Sequence, residues 1–93
     1  MNGKSVRIEL SRRAQRDIDD IPDAEFEIIK DDIKRIAEGA FPGEIKMIHA
    51  LPGRPLQADS GRYRVLCRRS PGLLEIISVF PKKQQSKVFR SLK

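Results

Sequence analysis

Near the N-terminus, Val6-Arg7-Ile8-Glu9-Leu10 alternates apolar and charged residues with the period of two that marks a strand buried on one face. Ser11 follows at once and is a good helix N-cap, because its hydroxyl can accept from the free backbone N–H groups of a first turn. Ala14, Ile18 and Ile21 then recur at helical spacing until Pro22 interrupts. Asp23 is a second N-cap candidate. Phe26, Ile29, Ile33, Ile36 and Ala37 form one apolar stripe, and Lys30, Asp31, Asp32, Lys34 and Arg35 face water. Gly39 is placed for a left-handed C-cap. Almost nothing joins the two helices, so they are expected to pack as an antiparallel hairpin.

After Gly39 the period changes. Pro42, Gly43, Pro52, Gly53 and Pro55 punctuate a stretch with two short strand candidates, residues 45–48 and 56–58. Asp59-Ser60-Gly61 reads as a turn. Residues 62–69 alternate basic and apolar positions, Ser70-Pro71-Gly72 reads as a hairpin turn, and residues 73–80 return as a nearly apolar, central strand. Pro81 stops it. Residues 82–92 predict a short helix with Val88, Phe89 and Leu92 on one side. The expected class is α+β, in the order β-α-α-β-β-β with a short C-terminal helix: an antiparallel sheet with a helical hairpin on one face.

Composition fits a folded domain with a thin core, at 39% hydrophobic and 34% charged residues. Ninety-three residues make one domain, 1–93. No apolar run approaches the roughly 18 residues of a membrane span, and Cys67 has no partner for a disulfide. The N-terminal segment reaches charge and strand pattern before a signal-peptide core can form, so a cytoplasmic location is expected. The net charge of +6 is unevenly divided. Residues 1–45 hold 8 Lys/Arg against 11 Asp/Glu, whereas residues 46–93 hold 11 against 2, Asp59 and Glu75. Such a cationic half calls for a polyanion, either nucleic acid or an acidic protein segment.

Candidate chemistry is correspondingly narrow. The glycines are too scattered for a phosphate loop, and one His with one Cys at no ligand spacing makes no metal site. No small-molecule cofactor is implied. Cys67, inside a strand, reads as a packing residue. His49 is the one neutral-pH base, with no acid beside it in sequence; alone it reads as a structural residue. The remaining constellation is cationic: Lys46 and Arg54 near His49, Arg62, Arg64, Arg68 and Arg69 on one hairpin, and Lys82, Lys83, Lys87 and Arg90 after the last strand. Alternation puts Arg62, Arg64 and Arg68 on one strand face and Tyr63, Val65 and Cys67 on the other. A basic sheet face can stabilise the charge that develops during metal-free RNA cleavage, or it can simply be solvated.

In order and spacing these features resemble the RelE/ParE superfamily of type II toxin–antitoxin toxins, nearest its RelE branch. Val6-Arg7-Ile8-Glu9-Leu10-Ser11-Arg12-Arg13-Ala14, Ile36-Ala37-Glu38-Gly39, Gly61-Arg62-Tyr63-Arg64-Val65-Leu66-Cys67-Arg68, Ile76-Ile77-Ser78-Val79 and Ser86-Lys87-Val88-Phe89 carry the likeness. It implies a ribosome-dependent mRNA endonuclease that needs no metal and is held inactive by an acidic antitoxin. Ribosome and mRNA become the expected partners, and no membrane is involved. The implied catalytic positions are Arg64, His49, Lys82, Gln85 and Phe89. Lys46, Arg54, Arg62, Arg64, Arg68, Lys82, Lys83, Lys87 and Arg90 are the implied RNA contacts. Phe89 stands where the family has a closing Tyr, Gln84 or Gln85 where it has an Arg, and Asp59 near another Arg. A non-cleaving binding module therefore stays open beside the enzyme: a ribosome blocker, a gyrase poison of the ParE kind, or a toxin retaining only antitoxin binding.

Overall fold

The structure, a computed structural model, describes residues 6–93; residues 1–5 of the N-terminal segment lie outside them. The chain runs β1 (Arg7–Leu10), α1 (Arg12–Asp19), α2 (Asp23–Glu38), β2 (Ile45–Met47), β3 (Leu56–Ser60), β4 (Tyr63–Ser70), β5 (Leu73–Pro81), a single 3₁₀ turn (Lys82–Gln84) and α3 (Gln85–Leu92). Five strands form one sheet in the order β1-β5-β4-β3-β2. The class is α+β, as the pattern predicts.

The sheet is mixed rather than wholly antiparallel. β2 to β5 form an antiparallel meander, but β1 lies parallel to β5, with Ile8 opposite Leu74 and Leu10 opposite Ile76. Chain direction explains this. Two helices separate β1 from β2, so the chain re-enters the sheet running the opposite way at its far edge. Three hairpin reversals then bring β5 back beside β1 in β1's own direction. As an edge strand, β1 leaves all four residues exposed, instead of burying one face as its alternation suggests.

Ser11 performs the capping role expected of it. Its Oγ accepts from the Ala14 N–H at 3.0 Å and donates to the Ile77 carbonyl at 2.7 Å, which welds the start of α1 to the sheet. Asp23 makes no cap. It is the first residue of α2, Pro22 holds the cap position, and no side chain bonds the free N–H groups there. Asp23 and Glu25 instead place negative charge on the first turn, where the helix dipole favours it. Gly39 ends α2 at φ 74°, the left-handed conformation that a Cβ disfavours. The helices cover one sheet face, with α1 lying mainly along β5 and α2 reaching β3. Ala14, Ile21, Ile29, Ile33 and Ile36 meet Ala58, Tyr63, Val65, Cys67, Leu74, Ile76 and Val79 there.

Register in β4–β5 slips once. Leu66 faces Ser78 and Cys67 faces Ile76, leaving Ile77 as the extra residue of a bulge. Leu74 and Ile76 before the bulge and Val79 after it all join the helix-side core, whereas Ile77 and Phe80 join the other. Asp17 of α1 secures this irregularity, accepting from Ser78 Oγ at 2.7 Å and from the Val79 N–H at 2.9 Å. Cys67 is fully buried, and burial pushes its thiol up to about 11, as a packing residue requires.

A second, smaller core occupies the opposite face. Leu51, Leu66, Phe80 and Val88 are buried there, with Ile48, Ile77, Phe89 and Leu92 packed around them. The face expected to be an open basic surface is thus partly roofed by α3. Turn positions also move by a residue or two. β3 continues through Asp59 and Ser60, so the reversal falls at Gly61-Arg62, and Arg62 lies in the turn rather than in β4.

Candidate functional site

Moving the turn to Gly61-Arg62 sets the cross-strand pairs. Asp59 stands opposite Arg64, and Gln57 opposite Leu66. On the α3 side of the sheet, Arg64 Nε donates to Asp59 Oδ1 at 3.0 Å and its Nη1 donates to Gln85 Oε1. Lys82 Nζ lies 3.5 Å from Asp59 Oδ2. Two cations, one carboxylate and one amide therefore converge where β3, β4 and the start of α3 meet. The Arg64 side chain is 27% exposed, against 52% for Asp59 and 43% for Lys82. Arg64 is held in place yet partly open to solvent, and Asp59 pairs with both cations.

The remaining cations divide into three groups. Arg62 turns away from Arg64, because its guanidinium grips Glu25 on α2 with contacts of 2.7–2.9 Å. That carboxylate, by hydrogen bond and by charge, holds Arg62 more firmly protonated than usual. The expected row of Arg62, Arg64 and Arg68 on one face is therefore broken at Arg62, and Arg68 keeps its place on that face but is engaged by the chain. Arg68 donates to the Pro52 carbonyl at 3.3 Å, clamping the loop before β3; a Cβ on Gly53 would collide with its guanidinium. Arg69 donates to the Ile36 carbonyl at 2.7 Å, satisfying the end of α2. Lys83, Lys87 and Arg90 are exposed around α3 and, among the described residues, have no carboxylate partner. Lys46, on β2, lies 3.9 Å from Glu44.

Two clefts flank Arg64's cluster. One of about 540 Å³ is lined by Gly61, Arg62, Tyr63, Pro81, Lys82, Lys83 and Gln84. The other, of about 150 Å³, is lined by Phe41, Gly43, Glu44, Lys46, Gln57, Asp59 and Arg64. Lys82 belongs to the first, Asp59 to the second, and their ion pair links the two. His49 and Arg54 are exposed on the turns between β2 and β3, with Arg54 in the left-handed region at φ 47°. Phe89 is partly buried in the second core and meets Phe80 edge to face, with ring centroids 6.2 Å apart.

Sequence reasoning singled out Arg64, Lys82, Gln85 and Lys46, and the structure brings the first three together with Lys46 beside the adjoining cleft. It missed Gln57, Glu44 and Phe41. Recognising Asp59 and Arg64 as a cross-strand pair required only the reversal at Gly61-Arg62, the two-residue turn that a β-hairpin prefers. Among the described residues, no group of three His, Cys, Asp or Glu side chains is placed to hold a metal ion, and no helix is long and apolar enough to cross a membrane.

The fold and its cationic cluster define a small α+β domain whose architecture is RelE-like. Two solved structures carry that likeness. One is the RelB-RelE antitoxin-toxin complex from Methanococcus jannaschii, with TM-score 0.69 and 15% identity over 87% of this chain and 98% of the matched one. The other is the archaeal RelE-RelB complex from Pyrococcus horikoshii OT3, with TM-score 0.68 and 13% identity over 84% and 96%. No family model and no curated protein matches the sequence. At these identities the likeness is one of fold.

Proposed function

We propose that this protein is the toxin of a type II toxin–antitoxin pair and that it inhibits translation in the cytoplasm as an mRNA interferase of the RelE kind. A fold shared with antitoxin–toxin complexes supports the first part. The observation that carries the second is the placement of Arg64, partly exposed, beside Lys82 and Gln85 on the cationic half of the chain. Cleavage of RNA through its own 2′-hydroxyl builds negative charge on the phosphorus-bound oxygens. Arg64 and Lys82 supply N–H donors and positive charge for those oxygens, and Gln85 orients Arg64 by accepting from Nη1. Neither expected proton carrier stands beside Arg64: the Phe89 ring carries no exchangeable proton, and His49 lies on the turn after β2, beyond the Met47–Leu56 end of the sheet, so a carrier must come from outside this cluster. Lys46, Lys83, Lys87 and Arg90 then neutralise flanking phosphates. An acidic antitoxin segment silences the protein by covering the same cations.

One observation favours a second reading, binding without cleavage. Phe89, at the position of the family's closing Tyr, is packed against Phe80 and carries no hydroxyl. Primer extension on mRNA from cells expressing the protein separates the two. Cuts at ribosome-positioned codons that disappear with Arg64→Gln support the interferase. Arrested translation with intact mRNA supports the binder.

A further inference from the structure

Among the described residues, Gln57 is the one position where a buried side-chain polar atom is left without a partner. The residue is only 9% exposed, and its Oε1 is sealed from solvent without a hydrogen-bond donor among the described residues. An orphaned acceptor of this kind costs stability comparable to a lost hydrogen bond, so a donor that reaches it is favoured. Gln57 lines the 150 Å³ cleft beside Arg64. Its terminal torsion is soft, so the amide can turn its oxygen toward an incoming donor.

The walls describe the ligand. Phe41 offers an aromatic surface, and its ring lies so close over Gly43 that an added Cβ would meet it at 2.8 Å. Glu44 and Asp59 add acceptors at the rim, and Lys46 and Arg64 add cations. Gln57 lies two residues along β3 from Asp59, and Asp59 faces Arg64. Two residues of strand rise span about 7 Å, short enough for one nucleotide to place its phosphate at Arg64 and its base in the cleft. Single-stranded RNA is read in this manner, with a splayed base against an aromatic ring and its edge on a polar side chain.

We propose that the cleft between Phe41, Gln57 and Arg64 holds a nucleobase of the bound RNA, and that Gln57 selects bases presenting an amino group. This rests on the RNA-binding reading above and adds a specificity to it. Adenine, cytosine and guanine each carry an exocyclic amine that can donate to Gln57 Oε1. Uracil presents a single imino donor between two carbonyl oxygens, which face the acceptors of Glu44 and Asp59 unfavourably.

The test is fluorescence anisotropy of the intact protein with labelled oligo(A), oligo(C) and oligo(U) at low salt. Wild type is expected to bind oligo(A) or oligo(C) several-fold to about tenfold more tightly than oligo(U), the worth of one good hydrogen bond. Gln57→Leu should erase that ratio by weakening oligo(A) and oligo(C) while leaving oligo(U) unchanged. Gln57→Glu, which keeps an acceptor, should restore a preference for amino-bearing bases even if overall affinity falls. Arg64→Gln should weaken all three alike. Equal wild-type affinities with normal salt dependence overturn the base pocket and leave RNA binding standing. A ratio unchanged in Gln57→Leu also overturns it, and is the result expected if the cleft serves a protein side chain. Absence of RNA binding by wild type overturns both readings.

Discussion

Asp59 holds two cations that an RNA phosphate would otherwise claim, and removing its charge should release them. Its carboxylate is 3.0 Å from Arg64 Nε and 3.5 Å from Lys82 Nζ, and all three side chains are partly solvated. Ion pairs at such exposure are worth up to about 1 kcal/mol each after solvent screening. A phosphate that displaces Asp59 from both cations therefore forfeits up to about 2 kcal/mol. Asp59→Asn keeps the shape and removes that competition, so affinity for a short single-stranded RNA should rise, by up to about 30-fold at low salt. The salt response should change with it. Each additional neutralised phosphate steepens the slope of log affinity against log salt by about 0.7 for single strands. Freeing two cations predicts a slope steeper by about 0.7–1.4. Anisotropy titrations of wild type and Asp59→Asn across a salt series read both quantities. Unchanged affinity with an unchanged slope would refute the reasoning, as would weaker binding by the variant.

Asp17→Ala should destabilise the fold by about 2–4 kcal/mol, because it strands the buried Ser78 hydroxyl and the Val79 N–H; thermal unfolding followed by circular dichroism reads this as a large fall in Tm. Phe89→Tyr should raise cleavage on programmed ribosomes if the interferase geometry holds, since a missing acid–base group costs about 10²–10⁴-fold, and primer extension measures the change. Stability should fall as pH rises from about 9 through about 11, because the buried Cys67 thiol stays protonated in the native state after the unfolded chain has lost its proton. Full stability from this source lies below pH 9, and the alkaline loss should be smaller in Cys67→Ala when both are followed by urea unfolding.

Much of the fold was legible because local signals and tertiary packing agree. The stripe Phe26–Ile29–Ile33–Ile36 became the inner face of α2, Gly39 its left-handed end, and Pro71-Gly72 the turn between β4 and β5. The parallel pairing of β1 was not legible. A strand's direction relative to β5 depends on how many reversals intervene, and no residue in Arg7–Leu10 encodes that count. The site was half legible. Arg64, Lys82 and Gln85 lie on elements whose boundaries the pattern placed well, and they meet. Arg62 was misplaced because the turn fell one residue later and Glu25, distant in sequence, captured it. Alternation marked the Arg64 face as basic but gave no weight to Leu66 in its midst, the residue on which α3 closes with Val88. Gln57 drew no notice because a lone glutamine carries no motif; only its burial without a partner distinguishes it.

Sedimentation with translating ribosomes tests the central claim most directly. Wild-type protein added to mRNA-programmed ribosomes at low salt should travel with them through a density gradient and dissociate as salt is raised. Arg64→Gln, which removes one cation from a partly exposed position, should leave the ribosomes at a lower salt concentration than wild type while retaining the wild-type circular dichroism spectrum. Folded wild-type protein that stays off ribosomes at every salt concentration, or that binds equally well with Arg64→Gln, would contradict the account.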